Sequence, residues 1–186
     1  MKKIVIFASG GGSNAQAIIN HFAESATVAI TKVYCNKQEA GVLGIAAKAN
    51  IPTIVFTKQE MESGLVEASL ATEMPDLIVL AGFLLKIPSA IVQRFSGKIV
   101  NIHPALLPKY GGKGMHGMHV HEAVVAAKEE FSGITIHYVN EHYDEGAPLL
   151  QSTYKLVKEE TAHSLAANVL KLEHFYFPRV IEFLMR

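Results

Sequence analysis

Asn101 and His103 stand two residues apart, immediately ahead of Pro104, and an acid, Asp144, follows downstream in the run Asp144-Glu145-Gly146. On an extended segment, side chains two residues apart point the same way, and a proline fixes the backbone just after them. A carboxamide offers a neutral N–H to a developing oxyanion, and an imidazole moves a proton near neutral pH. A carboxylate can orient the ring and favour its charged form. These are the parts required by a group transfer that passes through a tetrahedral oxyanion. Taken singly, an Asn-x-His pair or an Asp beside a glycine is ordinary turn chemistry, so the reading rests on the set.

Such a set needs a rigid platform. Lys98-Ile99-Val100 reads as the end of a buried strand, and polar pairs at the C-terminal ends of α/β strands are where small-molecule sites form. Upstream, Lys3 to Ala8 is an apolar run ending in glycines, and Asn14 to Ala23 has helical spacing. Between them Gly10-Gly11-Gly12-Ser13-Asn14 forms a strand-to-helix loop, where free backbone N–H groups and the helix dipole favour an anion. It lacks the Lys-Ser/Thr of a nucleoside-triphosphate loop. Ala15 also replaces the third glycine of a dinucleotide fingerprint, which leaves a single phosphate monoester as the expected guest. A plain tight turn with Ser13 or Asn14 as cap is the competing reading of the loop by itself.

The remaining periodicity alternates in the same way. Strands are expected at Thr27 to Cys35, Pro52 to Phe56, Asp76 to Ala81 and Ile99 to Ile102. Helices are expected at Val42 to Ala49, Met61 to Met74 and Ser89 to Phe95. Repeated units of this kind predict a single-domain α/β fold over residues 1–186, Rossmann-like, with a mostly parallel twisted sheet and helices on both faces. After Pro108 the pattern changes. Tyr110 to Met118 carries four glycines in nine residues and reads as a mobile loop. Val120 to Lys128 should be helical, and Gly133 to Asn140 and Pro148 to Lys155 should be strands flanking the turn that holds Asp144. Thr161 should cap a last helix that Pro178 bends or interrupts.

Composition narrows the function. Hydrophobic residues make up 49% and charged residues 18%, and 17 basic against 17 acidic residues leave a formal net charge of +0. No global field draws such a chain to nucleic acid or to an anionic membrane. The longest apolar stretch, Leu77 to Leu85, is far shorter than the ~20 residues of a membrane span. A single cysteine, Cys35, rules out an internal disulfide and fits a reducing compartment, so a cytoplasmic location is expected. His103, His116, His119 and His121 crowd one stretch, but without cysteines or a well-placed carboxylate beyond Glu122 no metal site is expected.

The run Asn101-Ile102-His103-Pro104-Ala105-Leu106-Leu107-Pro108 with its downstream Asp144 resembles the folate-dependent formyltransferases. Ala8-Ser9-Gly10-Gly11-Gly12-Ser13-Asn14, about ninety residues upstream, is similar to the branch of that family that formylates glycinamide ribonucleotide in purine synthesis. The resemblance spans essentially the whole chain and implies transfer of a formyl group from 10-formyltetrahydrofolate, a cosubstrate, to the glycinamide amine. It implies catalytic roles for Asn101, His103 and Asp144. It places the ribonucleotide on Gly12, Ser13, Asn14 and Glu173, and the folate on Leu84, Leu85, Lys86, Ile87 and Asn101. The same likeness implies small-molecule substrates; the balanced charge gives no expectation of a nucleic-acid or membrane partner, and a monomer or homodimer is expected. From the residues alone, Phe83 and Leu84 read equally well as core, Glu173 as a solvated helical acid and His137 as a structural strand residue. Methionyl-tRNA formyltransferase and formyltetrahydrofolate hydrolase share the Asn, His, Asp set. Both ordinarily carry a further domain, for which 186 residues leave no room, and a tRNA enzyme should show a basic face. A non-catalytic nucleotide-binding module is the rival of another class, disfavoured by the intact Asn101, His103 and Asp144.

Overall fold

The central strands are buried on both faces and built from β-branched and aromatic residues, the pattern of a sheet covered on each side. In the computed structural model, which describes residues 1–186, β1 (Lys2–Ala8) alternates Ile4, Ile6 and Ala8 into one core and Val5 and Phe7 into the other. β4 (Leu77–Leu80) is buried throughout, whereas β7 (Pro148–Lys155), at the edge, is partly exposed along its length. The remaining strands are β2 (Val28–Cys35), β3 (Thr53–Val55), β5 (Ile99–His103) and β6 (Phe131–Tyr138).

The seven strands form one sheet in the order β3-β2-β1-β4-β5-β6-β7. Pairing is parallel from β3 to β5 and antiparallel for β5 with β6 and β6 with β7. The chain moves outward from β1 to β3, then returns to lay β4 on the other side of β1. The crevice above the C-terminal ends of β1 and β4 is therefore a topological switch point, the position where open α/β sheets hold ligands.

Helices cover both faces. α1 (Ser13–Phe22), α2 (Gly41–Lys48), α6 (Met118–Ala126) and α7 (Ala162–Leu184) pack on the Ile4 and Ile6 side. α3 (Lys58–Glu62), α4 (Leu65–Glu73) and α5 (Ser89–Arg94) pack on the Val5 and Phe7 side. No helix is long and apolar enough to cross a membrane.

Two helical expectations change. The single helix expected over Met61 to Met74 is two, because Thr57 and Glu60 form a capping box that starts α3 earlier and Gly64, at φ 89, turns the chain before α4. Pro178 does not interrupt α7, which runs from its Thr161 capping box to Leu184 with the proline buried inside it. A proline removes one backbone donor from the ladder. Burial of Leu165, Val169, Phe177 and Ile181 carries the helix through, and the Arg179 guanidinium donates to the Phe175 carbonyl at 2.6 Å in the affected turn.

Candidate active site

β5 and β6 bring the candidate side chains together through antiparallel register. Asn101 is paired with His137 and His103 with Thr135, so each pair shares a face of the sheet. Just beyond β5, Thr135 holds the descending chain: its hydroxyl donates to the Ala105 carbonyl at 2.7 Å and accepts from the Leu107 N–H at 3.0 Å. Asp144 comes from the loop between β6 and β7. Gly146 is obligatory there, because a Cβ would run into the Tyr138 carbonyl.

The hydrogen bonds assign most protons. His137 Nδ1 lies 2.9 Å from the Tyr138 carbonyl, which can only accept, so Nδ1 carries a proton. Burial pushes the His137 ring below its ordinary range, against weaker raising influences from the Tyr138 bond and Asp144. The neutral ring then presents a bare Nε2, which accepts from Asn101 Nδ2 at 3.2 Å. One N–H of Asn101 is thereby fixed and its other N–H is left for a ligand. His103 Nε2 likewise donates to the Tyr110 carbonyl, at 2.7 Å. Its Nδ1 faces Asp144 Oδ2 at 3.6 Å, while Asp144 Oδ1 lies 3.7 Å from His137 Nε2. The carboxylate thus sits between two imidazoles, steadied by the Gly112 N–H donating to Oδ2 at 2.8 Å.

These groups line a cavity of about 820 Å³, within the usual range for small-molecule sites. Leu84, Leu85, Lys86 and Ile87, in the loop after β4, form another part of its lining. Lys86 Nζ lies 5.5 Å from the centre of the Tyr143 ring. The segment from Gly112 to Met118 borders the cavity as well. Asn14, from the start of α1, and Glu173, from α7, also line it. Asn14 Nδ2 donates to Glu173 Oε2 at 2.6 Å, and Asn14 Oδ1 is buried without a partner. Glu173 is not the solvated helical acid its position in the sequence implies. It is 7% exposed, and burial pushes its carboxyl above the ordinary range, partly opposed by Asn14.

Gly12 and Ser13 lie beside this cavity rather than in its lining. Gly12 has φ 81, and a Cβ there would meet Val42 Cβ at 2.7 Å, so this glycine is required by the turn itself. Ser13, the first residue of α1, is exposed, and neither it nor Asn14 caps the helix, since Gly12 occupies the cap position. The first N–H groups of α1 have no partners within the helix.

His137 is the residue that strand periodicity missed. Nothing local marks it, and only the cross-strand pairing with Asn101 reveals it. Of the clustered histidines, His116 and His119 pack ring to ring at 5.8 Å, with His119 facing Glu122 at 3.5 Å on the surface. His121 turns inward to the cavity, 6% exposed, with Nδ1 unpartnered, and burial lowers its basicity.

The family described as formyl transferase matches residues 2–181. The chain belongs to the formyl transferase family. Among curated relatives, it is 41% identical to a chloroplastic phosphoribosylglycinamide formyltransferase of Vigna unguiculata, over 97% of this chain and 60% of the relative. It is 34% identical to phosphoribosylglycinamide formyltransferase of Bacillus subtilis, over 100% of this chain and 95% of the relative. The chain thus spans less than two thirds of the plant proteins, 60% and 64% of their length, but nearly all of the bacterial one. Among solved formyl transferase structures, phosphoribosylglycinamide formyltransferase from Anaplasma phagocytophilum superposes with a TM-score of 0.90 at 33% identity, covering 98% of this chain and 86% of that one.

Proposed function

We propose that the chain transfers the formyl group of 10-formyltetrahydrofolate to the amine of glycinamide ribonucleotide, a step of purine synthesis, acting through one domain over residues 1–186. The observation that carries this reading is the convergence of Asn101, His103, His137 and Asp144 in a cavity that the bonded pair Asn14 and Glu173 also lines. The first four supply groups for chemistry, and the Asn14 and Glu173 pair supplies groups for a polyhydroxylated ligand. Ser13 and the free N–H groups at the start of α1 lie beside the latter, where a phosphate would be held.

In this reading the glycinamide nitrogen attacks the formyl carbon, and the carbonyl oxygen becomes an oxyanion. The unpaired N–H of Asn101 donates to it. Nδ1 of His103, the ring nitrogen not committed to the Tyr110 carbonyl, exchanges the proton that the attacking nitrogen loses and N10 of the folate must gain, with Asp144 countering the charge on the ring. The C–N10 bond then breaks, giving formylglycinamide ribonucleotide and tetrahydrofolate. Leu84, Leu85, Lys86 and Ile87 bind the folate through the loop after β4. Glu173 accepts from the ribose hydroxyls. The chain requires no metal in this scheme, works as a monomer or homodimer and, with its one cysteine unpaired, belongs in the cytoplasm.

The test is incubation with glycinamide ribonucleotide and a 10-formyl folate while following the deformylated folate. Release that depends on the amine supports the reading. Release without the amine would make the protein a formyltetrahydrofolate hydrolase, and no release with either would overturn the assignment.

A further inference from the structure

We propose that Tyr110, anchored by Glu129 and Lys109, is a positioning residue for His103. Its main-chain carbonyl decides which ring nitrogen holds the proton, and its side chain holds that carbonyl in place. The inference rests on the formyl-transfer reading only for its kinetic arm.

The carbonyl of Tyr110 accepts from His103 Nε2 at 2.7 Å. A carbonyl cannot donate, so the bond commits the Nε2 proton and turns Nδ1 toward Asp144, 3.6 Å away. The peptide reaches this position because Tyr110 adopts φ 57, a left-handed conformation that a bulky side chain adopts only when its surroundings enforce it. The enforcing contact is visible. The Tyr110 hydroxyl donates to Glu129 Oε1 at 2.8 Å, and Lys109 Nζ reaches the same oxygen at 2.8 Å. Lys109 first and the Tyr110 hydroxyl second hold the Glu129 carboxyl below its ordinary range, so it remains an acceptor. Burial and the Glu129 bond push the Tyr110 hydroxyl up, so it remains a donor.

The placement matters as much as the bonds. Tyr110 precedes the cavity-bordering segment Gly112 to Met118, and Glu129 follows α6 on its far side. The clamp therefore closes the base of the whole excursion while leaving the cavity face open. None of its three side chains lines the cavity. Their effect on chemistry must pass through the ring of His103.

The experiment combines steady-state kinetics with 15N NMR of histidine-labelled protein, the His103 signals being assigned by their absence in His103→Gln. Tyr110→Phe keeps the ring and removes the hydroxyl. Glu129→Ala removes the acceptor, and Glu129→Gln retains an amide oxygen in its place. Misplacement of a reacting group by about 1 Å costs up to ~10²-fold in rate, so Tyr110→Phe and Glu129→Ala should each lower kcat by roughly 10-fold. Both KM values should stay within about twofold, because the lost interaction is not one that binds substrate. The His103 nitrogens should leave the pattern of a protonated Nε2, and Glu129→Gln should restore most of both signals. Unchanged nitrogen shifts in Tyr110→Phe would overturn the proposal, as would a loss spread over both KM values. Should Glu129→Ala fail to fold, Tyr110→Phe and Lys109→Met carry the test. The NMR arm needs no substrate, so its result stands even if the protein proves to catalyse a different reaction.

Discussion

The two regions of the sheet that meet at the cavity are built on different principles. At the switch point between β1 and β4, the parallel part of the sheet contributes the loop from Gly82 to Ile87 to the lining, and the glycine loop before α1, a source of main-chain donors, lies beside it. At β5 and β6 the sheet turns antiparallel, and there the contribution is side chains, with Asn101 set opposite His137 by register. Backbone donors suit binding because their positions are set by the fold and they carry no proton to exchange. Side chains suit catalysis because they do. The contrast teaches where a substitution should register, in KM on one side and in kcat on the other.

The strongest attempt to break that division is His103→Ala. If the ring carries the proton exchange, kcat should fall by ~10²–10⁴-fold while affinity for both substrates holds. A variant that lost ribonucleotide affinity to the same degree, measured by calorimetry, would place His103 among the binding groups instead. Asn101→Ala should follow with a fall of ~10²–10³-fold in kcat, the usual worth of one oxyanion donor. If the folded variant keeps more than about half of the wild-type rate, the donor that this expectation assumes must lie elsewhere.

How much of this was legible beforehand depends on the range of the signal. The alternation of apolar runs and helical periods along the chain was enough for the α/β architecture, because burial of β1 and β4 on both faces imprints continuous apolar segments. Asn101 and His103 were legible because their geometry is local to one strand. His137 was not, since its significance comes from a partner on another strand, 36 residues away. Glu173 was found only through family likeness, because its partner Asn14 is 159 residues distant and an isolated helical glutamate is ordinarily solvated. Pro178 does not end α7, because a strong local rule was outweighed by the burial of the helix. Gly12 was read as a phosphate contact, yet its positive φ and the approach of Val42 already require a glycine.

That last point shapes the test of the binding side. Gly12→Val would damage the turn whatever Gly12 binds, so Ser13→Ala is the cleaner probe, as Ser13 is exposed and caps nothing. A hydrogen bond to a charged group contributes ~1.5–3 kcal/mol, so the ribonucleotide KM should rise on the order of 10-fold or more. The folate KM and kcat should hardly move. An equal rise in both KM values would mean that the loop supports the cavity as a whole and that the division between its two sides fails.

The smallest effect concerns Glu173, the only buried acidic residue of the chain. Burial raises its folded pKa above the ordinary glutamate value of 4.5, so in the window from about that pH upward to the folded value the native state keeps a proton that the unfolded chain releases. Stability must then fall as pH rises through this window and be fully present below it. His137 and His121 act in the opposite sense. Their folded basicity is depressed below 6.5, so their contribution is complete above that pH and is lost as pH falls below it. The wild type alone would blend these slopes, and the informative quantity is its difference from Glu173→Gln, which removes one titration and keeps the side-chain volume. Urea unfolding at a series of pH values should show the wild type losing ground to the variant as pH rises from the ordinary glutamate range. A difference that stayed flat would mean that Glu173 is charged in the folded protein, held as the carboxylate by Asn14. The region proposed to hold the ribonucleotide would then contribute a fixed negative charge as well as main-chain donors, and the contrast with the region proposed for catalysis would narrow accordingly.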